Sequence, residues 1–246
     1  MKKMESDEIE SYRKKMKEEL RDPYVYEGTN VLINKFNIKS NKELSIVETA
    51  ISKNKLSTIE KVDLSKESKS YVKDIHKHLF EDIYPFAGEY RTVQIDKAEK
   101  ELGGDSFRYT EPHNISKEVE KVCKFYNKLQ TSRFKDDKMK AVGKFASTIW
   151  AIHPFREGNT RVAMCVATNY ARSIGLIFSA TPIKENPKEF RDALLLNSLG
   201  EYSEPEKLRD IIKKCVEAGE EKNLAKEENV TSKKRFKQTK LCTKEK

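Results

Sequence analysis

The stretch that decides the fold is a polar loop, His153-Pro154-Phe155-Arg156-Glu157-Gly158-Asn159-Thr160-Arg161, which lies between two apolar segments. The segment before it, Asp136 to Ile152, has apolar residues at helical spacing. The segment after it, Thr160 to Ile174, is apolar on several sides. Both patterns are typical of buried central helices. The loop therefore joins two helices of the core, and so many polar groups at such a place have no packing role.

Outward from the loop, most of the chain shows helical periodicity. Apolar residues at spacings of three and four predict further helices at Ser40 to Leu56, Ser68 to Phe80, Asn114 to Leu129, Pro187 to Leu199 and Lys207 to Ala218. Gly175 and Gly219 are expected to end two of the helices. Residues 88–109 alternate instead, and Gly103-Gly104 is a turn signal, which predicts a β-hairpin.

The predicted fold is an all-α helical bundle with a small β-hairpin flap next to the polar loop. Four regions follow from the pattern. Residues 1–69 form a helical extension that packs on the core, residues 70–205 form the main domain, residues 206–220 form a C-terminal helix, and residues 221–246 form a basic, disordered tail. Residues 1–21 alternate in charge and read as an exposed helix.

Composition excludes several classes of protein. The 246 residues are 37% hydrophobic and 36% charged, and no run approaches the roughly 20 apolar residues that span a bilayer. No apolar signal segment follows Met1, so we expect a cytoplasmic protein, although secretion as an effector is not excluded. The four cysteines form no CxxC pair and the histidines lack metal-ligand spacing, so neither a disulfide framework nor a structural metal is expected.

The net charge of +9 belongs mostly to the C-terminal end. Residues 221–246 contain eight Lys and one Arg against four Glu, and their only aromatic residue is Phe236. A basic segment without aromatic residues offers no stacking platform for bases. Nucleic acid is therefore not expected as a partner, and a solvated tail is the simpler interpretation.

The residue types of the loop fit phosphoryl-group transfer. Gly158 and Asn159 at a helix start would form an anion cradle from backbone N–H groups and the helix dipole. Arg161 adds a cation for phosphate, and Glu157 can hold Mg²⁺. His153 has the side chain suited to general-base work on a hydroxyl.

Each of these residues also has an ordinary structural interpretation. A lone histidine at a helix end is usually a cap or a surface residue, and a lone Glu-Gly-Asn is usually a turn. Phe155 is assigned to structure, as an apolar anchor of the loop, and Arg156 can simply face solvent. The joint occurrence in this order favours the functional interpretation, because independent accidents would have to coincide.

The loop resembles the signature of the Fic family, HPFx[D/E]GN[G/K]R, and departs from it only at Thr160. Ile83 to Val93 is similar to the family's entry into its flap, and Phe190 to Leu194 with Gly200 to Tyr202 is similar to its closing helix. The resemblance covers about residues 70–205. Residues 24–44 are similar to Fic toxins that work with a separate antitoxin.

The resemblance implies a protein adenylyltransferase, which moves AMP from ATP to a Ser, Thr or Tyr hydroxyl of a target protein. His153 would be the general base and Glu157 would hold Mg²⁺. The ATP phosphates would contact four residues, Gly158, Asn159, Thr160 and Arg161. The target would pair with five flap residues, Val93, Gln94, Ile95, Asp96 and Lys97, by strand addition.

Two alternatives stay open. Family members that act as kinases carry an altered residue at the place of Gly158 and a Lys at the place of Thr160, so the sequence favours AMP transfer over phosphorylation. Thr160 itself is β-branched, so its backbone should be helical or extended. The other alternative is a catalytically idle binding module that uses the basic tail.

Many Fic proteins are inhibited by a helix of pattern [S/T]xxxE[G/N]. Ser6 to Glu10 and Ser116 to Glu120 fit its first five positions, and Thr181 to Asn186 fits all six, but Pro182 and Pro187 interrupt a helix there. All three matches are interpreted as coincidental. A small separate antitoxin that supplies the helix is the preferred hypothesis.

Overall fold

The computed structural model describes residues 22–59, 70–96, 98–129 and 133–242, with side chains in the last helix described as far as Glu227. Within these residues lie eight α-helices: α1 (Asn41–Thr58), α2 (Tyr71–Phe80), α3 (Ile115–Lys128), α4 (Lys135–Ile152), α5 (Asn159–Ser173), α6 (Thr181–Glu185), α7 (Pro187–Leu196) and α8 (Pro205–Cys242). Three short 3-10 helices are added at Lys100–Leu102, Pro112–Asn114 and Gly200–Tyr202. The predicted all-α fold is confirmed.

Helix α4 is the centre of the bundle. It packs against α3, α5, α7 and α8, and its residues Phe145, Ile149 and Trp150 are almost completely buried. Helix α5 beside it buries most of its residues as well. Each large apolar side chain removed from water contributes about 1.5–3 kcal/mol, so this pair anchors the two ends of the polar loop.

The segment before α2 packs on the core, with Tyr24, Val31 and Leu44 buried. Helix α1 is capped by Ser40, whose hydroxyl accepts a hydrogen bond from the backbone N–H of Glu43 at 3.4 Å. It buries only Leu44 and Ser52 and is otherwise held to its neighbours by polar contacts. The predicted helix at residues 1–21 lies outside the described residues.

The predicted β-hairpin flap is not confirmed. In the described parts of residues 88–109, the only strand-like pairing is one antiparallel bridge between Ala98 and Ser106. The buried Arg91 explains the difference, because its guanidinium takes the carbonyl oxygens of Val93 and Thr110, which a strand ladder would otherwise use. The flap is therefore a loop whose carbonyl groups are held by Arg91. Lys97, which the sequence also assigns to the flap, lies outside the described residues.

The C-terminal prediction is also corrected. Gly219 was expected to end a helix and residues 221–246 to be disordered, but α8 runs through Gly219 to Cys242. A Cβ at Gly219 would lie 2.5 Å from the carbonyl oxygen of Ile177, so glycine permits close packing inside the helix. From residue 220 to residue 242 the sequence has neither Gly nor Pro, so nothing in it breaks the helix. Gly175, in contrast, follows the end of α5 with a left-handed backbone, φ +80°, as expected of a glycine that ends a helix.

No helix in the described part of the chain combines the length and the apolar character needed to span a bilayer.

Candidate active site

Two residues with positive φ bracket the polar loop. His153 follows the last residue of α4 with a φ of +52°, and Gly158 precedes the first residue of α5 with a φ of +81°. A left-handed conformation costs a residue with a side chain about 1–2 kcal/mol. Such a conformation persists only where the surroundings fix it, and it is typical of functional sites.

The imidazole of His153 has a defined tautomer. Its Nδ1 lies 3.1 Å from the carbonyl oxygen of Trp150. Because a carbonyl can only accept, Nδ1 carries the hydrogen, and the lone pair of the neutral ring is on Nε2. Arg91 donates to the His153 carbonyl at 2.7 Å, and the Tyr109 ring packs 3.9 Å from the imidazole. The ring is therefore held in the form that a general base requires.

Phe155 and Asn159 shape the loop from inside. Phe155 is fully buried, and its ring stacks on His76 with centroids 3.9 Å apart. The Asn159 side chain accepts from the Phe155 N–H at 3.0 Å and donates to the Phe155 carbonyl at 2.7 Å. The Asn159 side chain is thus used to hold the loop, and the cradle expected from the sequence rests on backbone N–H groups such as that of Asn159.

The start of α5 has the character of an anion site. The first backbone N–H groups of a helix have no partner inside it, and they lie at the positive end of its dipole. The Glu157 carboxylate already accepts from the Gly158 N–H at 2.9 Å. Gly158 is required here because a Cβ would lie 2.3 Å from the Phe80 ring. The site would place phosphate against this helix start.

Glu157 fits the requirements for magnesium. Its side chain is 43% exposed and lies beside the helix start. Mg²⁺ is usually bound by one or two carboxylates together with substrate phosphates, and it keeps several waters. A single accessible carboxylate next to a phosphate cradle matches that donor set.

Thr160 lies inside α5, and its helical backbone is one of the two conformations, helical or extended, that its branched side chain predicts. Its hydroxyl accepts a hydrogen bond from the Trp150 indole N–H at 3.2 Å. The side chain thereby ties α5 to α4. Because a hydroxyl both accepts and donates, its own hydrogen can still be donated to a neighbouring group.

Arg161 is held by residues that the sequence argument missed. Its guanidinium donates to Ser52 Oγ at 2.9 Å and forms a short ion pair with Glu48. Its Cζ lies 4.8 Å from the centre of the Phe80 ring. Glu48 and Ser52 are four residues apart on α1, so they share a face. Since they are more than 100 residues from Arg161 in sequence, no local pattern could reveal the contact.

His76 is the second missed residue. Its Nε2 donates to the Glu157 carbonyl at 3.1 Å, and its Nδ1 accepts from the Gly88 N–H at 2.8 Å. Burial lowers the pKa of His76 to about 3, and the positive charge of Arg161 also lowers it. The neutral imidazole therefore connects the polar loop to the start of the flap. The only sequence signal is its place in the apolar helix α2.

Arg156, which the sequence left facing solvent, is paired. Its Nε and one terminal nitrogen donate to the same Asp22 carboxylate oxygen at 2.9 Å and 2.7 Å. Both side chains are about one quarter exposed. The loop is thereby tied to the segment that precedes α1.

A cavity of about 420 Å³ lies elsewhere, between the C-terminal half of α5, the segment that leads to α6, and α8. None of residues 153–161 lines it. The groups with catalytic chemistry therefore lie outside this cavity, at the helix start beside the flap.

Residues 66–171 match the model of the Fic/DOC family. The polar loop lies within these residues, so the site is in the part of the chain that is similar to this family.

Relatives agree with this assignment. The chain is 29% identical over 188 residues to the probable protein adenylyltransferase y4lH of Sinorhizobium fredii, covering 75% of this chain and 92% of that protein. It is 29% identical over 155 residues to the protein adenylyltransferase VbhT of Bartonella schoenbuchensis, covering 63% of this chain and 31% of that protein.

Solved structures share the fold. The N-terminal Fic domain of Bep8 from Bartonella sp. 1-1C aligns with a TM-score of 0.63 at 20% identity, covering 78% of this chain and 94% of that one. BepC from Bartonella tribocorum, solved with bound AMPPNP, aligns with a TM-score of 0.62 at 18% identity, covering 78% and 95%.

Proposed function

We infer that this chain is a protein adenylyltransferase that transfers AMP from ATP to a hydroxyl group of a protein. The observation that carries the proposal is the joint geometry at the polar loop. An imidazole with its lone pair on Nε2, a helix-start anion cradle and an arginine are brought together within nine residues. The relatives in Sinorhizobium and Bartonella that are named protein adenylyltransferases support the same activity.

The transfer is an in-line displacement at the α-phosphorus. His153 Nε2 takes the proton of the target hydroxyl, whose oxygen forms the new bond to phosphorus. The bond to the bridging oxygen of the β-phosphate breaks, and pyrophosphate leaves. Backbone N–H groups at the start of α5 stabilise the charge that develops on the α-phosphate, and Arg161 holds the distal phosphates. Glu157 would hold Mg²⁺, whose charge offsets that of the phosphates.

The flap is proposed to receive the target protein. Val93 and Ile95 are half-buried while Gln94 and Asp96 are exposed, so this segment lies at the surface of the protein. An extended target segment that pairs with this backbone would bring its hydroxyl to His153, whatever the other side chains of the segment are. Recognition of a particular target would then depend on other surfaces.

We propose that inhibition comes from a separate small antitoxin. The six-letter match forms the short helix α6 and its cap, and the carboxylates that pair with Arg161 are those of Glu48 and Glu157, not that of Glu185. Glu185 is exposed at the end of the five-residue helix α6, and Asn186 lies beyond it. Glu185→Gly should leave auto-AMPylation unchanged, and a jump in activity would contradict the proposal.

A cytoplasmic site of action is proposed, since ATP is available there. Relatives described as VirB-translocated effectors make secretion the alternative. Fractionation of cells that produce the tagged protein would decide between them.

The test of the function uses ATP labelled on either the α- or the γ-phosphate, with His153→Ala as control. We expect label from α-ATP on protein and none from γ-ATP. Label from γ-ATP would indicate a kinase. Labelling that survives His153→Ala would refute the mechanism, and no labelling at all would support a binding module.

A further inference from the structure

Glu48 and Ser52, which lie outside the Fic signature, complete the surroundings of Arg161. The Glu48 side chain is only 13% exposed and the Arg161 side chain 26% exposed. The two contacts leave other guanidinium N–H donors for a ligand, since arginine has five. A terminal nitrogen of Arg161 also lies 3.8 Å from Glu157 Oε1, next to the helix-start cradle.

The Glu48 carboxylate is itself fixed by the core. Its other oxygen accepts a short hydrogen bond from the hydroxyl of Tyr84, a residue that is 1% exposed. Burial and the neighbouring carboxylate raise the pKa of Tyr84, so the phenol stays protonated and keeps donating. One turn beyond Ser52, Lys55 pairs with Glu81 and Asp82 at 2.9 Å and 2.8 Å. Helix α1 therefore presents a fixed carboxylate to Arg161.

A fixed carboxylate can act on this arginine in two opposite ways. It can hold the guanidinium in the orientation that phosphates need, or it can compete with phosphates for the same donors. The observed arrangement favours holding, because Ser52, Glu48 and the face of Phe80 restrain the guanidinium together. A preorganised arginine loses less conformational freedom when it binds phosphate.

Resting on the proposed function, we infer that Glu48 is a positioning residue of the nucleotide site: with Ser52 and Tyr84 it orients Arg161 toward the distal phosphates of ATP. The N-terminal helix α1 is then part of the nucleotide site and not only an extension of the domain.

The test compares binding of AMP, ADP and ATP by titration calorimetry in the presence of Mg²⁺. All proteins carry His153→Ala, so that no nucleotide is consumed. Glu48→Gln should weaken ADP and ATP binding about tenfold, the loss expected when a charged hydrogen-bond partner becomes neutral, and leave AMP binding within about twofold. AMP is the reference because it lacks the distal phosphates.

Two further variants keep the outcome clear. Glu43→Gln, an exposed change on the same helix, should bind all three nucleotides normally. Tyr84→Phe removes the donor that fixes Glu48 and should show the same dependence on phosphate number with a smaller loss, about threefold.

The opposite results are equally distinct. An equal loss for all three nucleotides would reveal a merely structural role for Glu48, and tighter ATP binding would show competition; either overturns the inference. If Arg161→Ala weakens ATP binding but Glu48→Gln does not, the inference fails while the proposed function stands. If the protein with Glu48 intact binds no ATP, both fail.

Discussion

The polar loop and the flap are in direct contact, since the Arg91 N–H donates to the Pro154 carbonyl at 2.9 Å, but the chain holds them differently. In the loop, Phe155 is buried, and the Asn159 side chain forms hydrogen bonds with both the N–H and the carbonyl of Phe155. A Cβ on Gly158 would overlap the Phe80 ring. In the flap, the space around Gly103 is open, and residues 92–96 are half-buried or exposed. The flap is held to the rest of the protein chiefly by two residues, Arg91 and Glu99.

Both of these residues are buried polar groups with partners outside the flap. Arg91 is 2% exposed and donates to the carbonyls of His153 and Val93 at 2.7 Å and 2.8 Å. Glu99, also 2% exposed, pairs with Arg191 on α7. The difference suits the proposed function, in which the loop would bind the same nucleotide in every turnover and the flap would receive target segments that vary.

The largest expected effect tests the rigidity of the loop with matched glycines. Gly158 and Gly103 have similar positive φ values, +81° and +67°. Gly158→Ala should reduce the free energy of unfolding by about 3 kcal/mol, from backbone strain plus overpacking on Phe80, whereas Gly103→Ala should cost about 1 kcal/mol from strain alone. Chemical denaturation measures both. Equal losses would mean that the loop is no tighter than the flap.

The next prediction concerns the flap backbone. Ile95→Pro removes a backbone N–H that strand pairing with a target would use, so AMP transfer from α-labelled ATP to lysate proteins should fall about tenfold. ATP affinity should not change. Gln94→Ala, which alters only a side chain of the same segment, should cost less than about threefold. If Gln94→Ala were the more damaging variant, recognition through the backbone would be wrong.

The smallest effect tests His76, which joins the two regions. Its pKa is about 3 in the folded protein, against about 6.5 when unfolded. Between these values only the unfolded state binds the proton, so the contribution of His76 is complete above pH 6.5 and is lost as the pH falls toward 3. From pH 6 to pH 5, the protein should lose about 1 kcal/mol more stability than His76→Gln does.

Urea denaturation of both proteins at a series of pH values measures this difference. The comparison with His76→Gln isolates the contribution of His76 from those that both proteins share. Parallel pH profiles would show that His76 is not held neutral between the loop and the flap.

Single residues show which parts of the fold can be predicted from the sequence. The helical periodicity around Phe145 and Ile149 predicts the central helix, and the branched Thr160 predicts a helical or extended backbone at its position, of which the structure has the helical one. Both inferences rest on local sterics and periodic burial, which neighbours in sequence determine. The flap failed the same reasoning, because the alternation of residues 90–95 was overridden by the buried guanidinium of Arg91.

By itself, then, the sequence determined the central helices and the kinds of groups that the loop between them contains. Only the tertiary structure decided which groups each of them meets: Glu48 and Ser52 for Arg161, Trp150 for Thr160, and Ile177 for Gly219. The physical reason is the distance along the chain over which each effect acts. Periodicity and backbone sterics act over a few residues, whereas ion pairs and close packing join side chains that are distant in sequence, and their partners are set by how the helices pack.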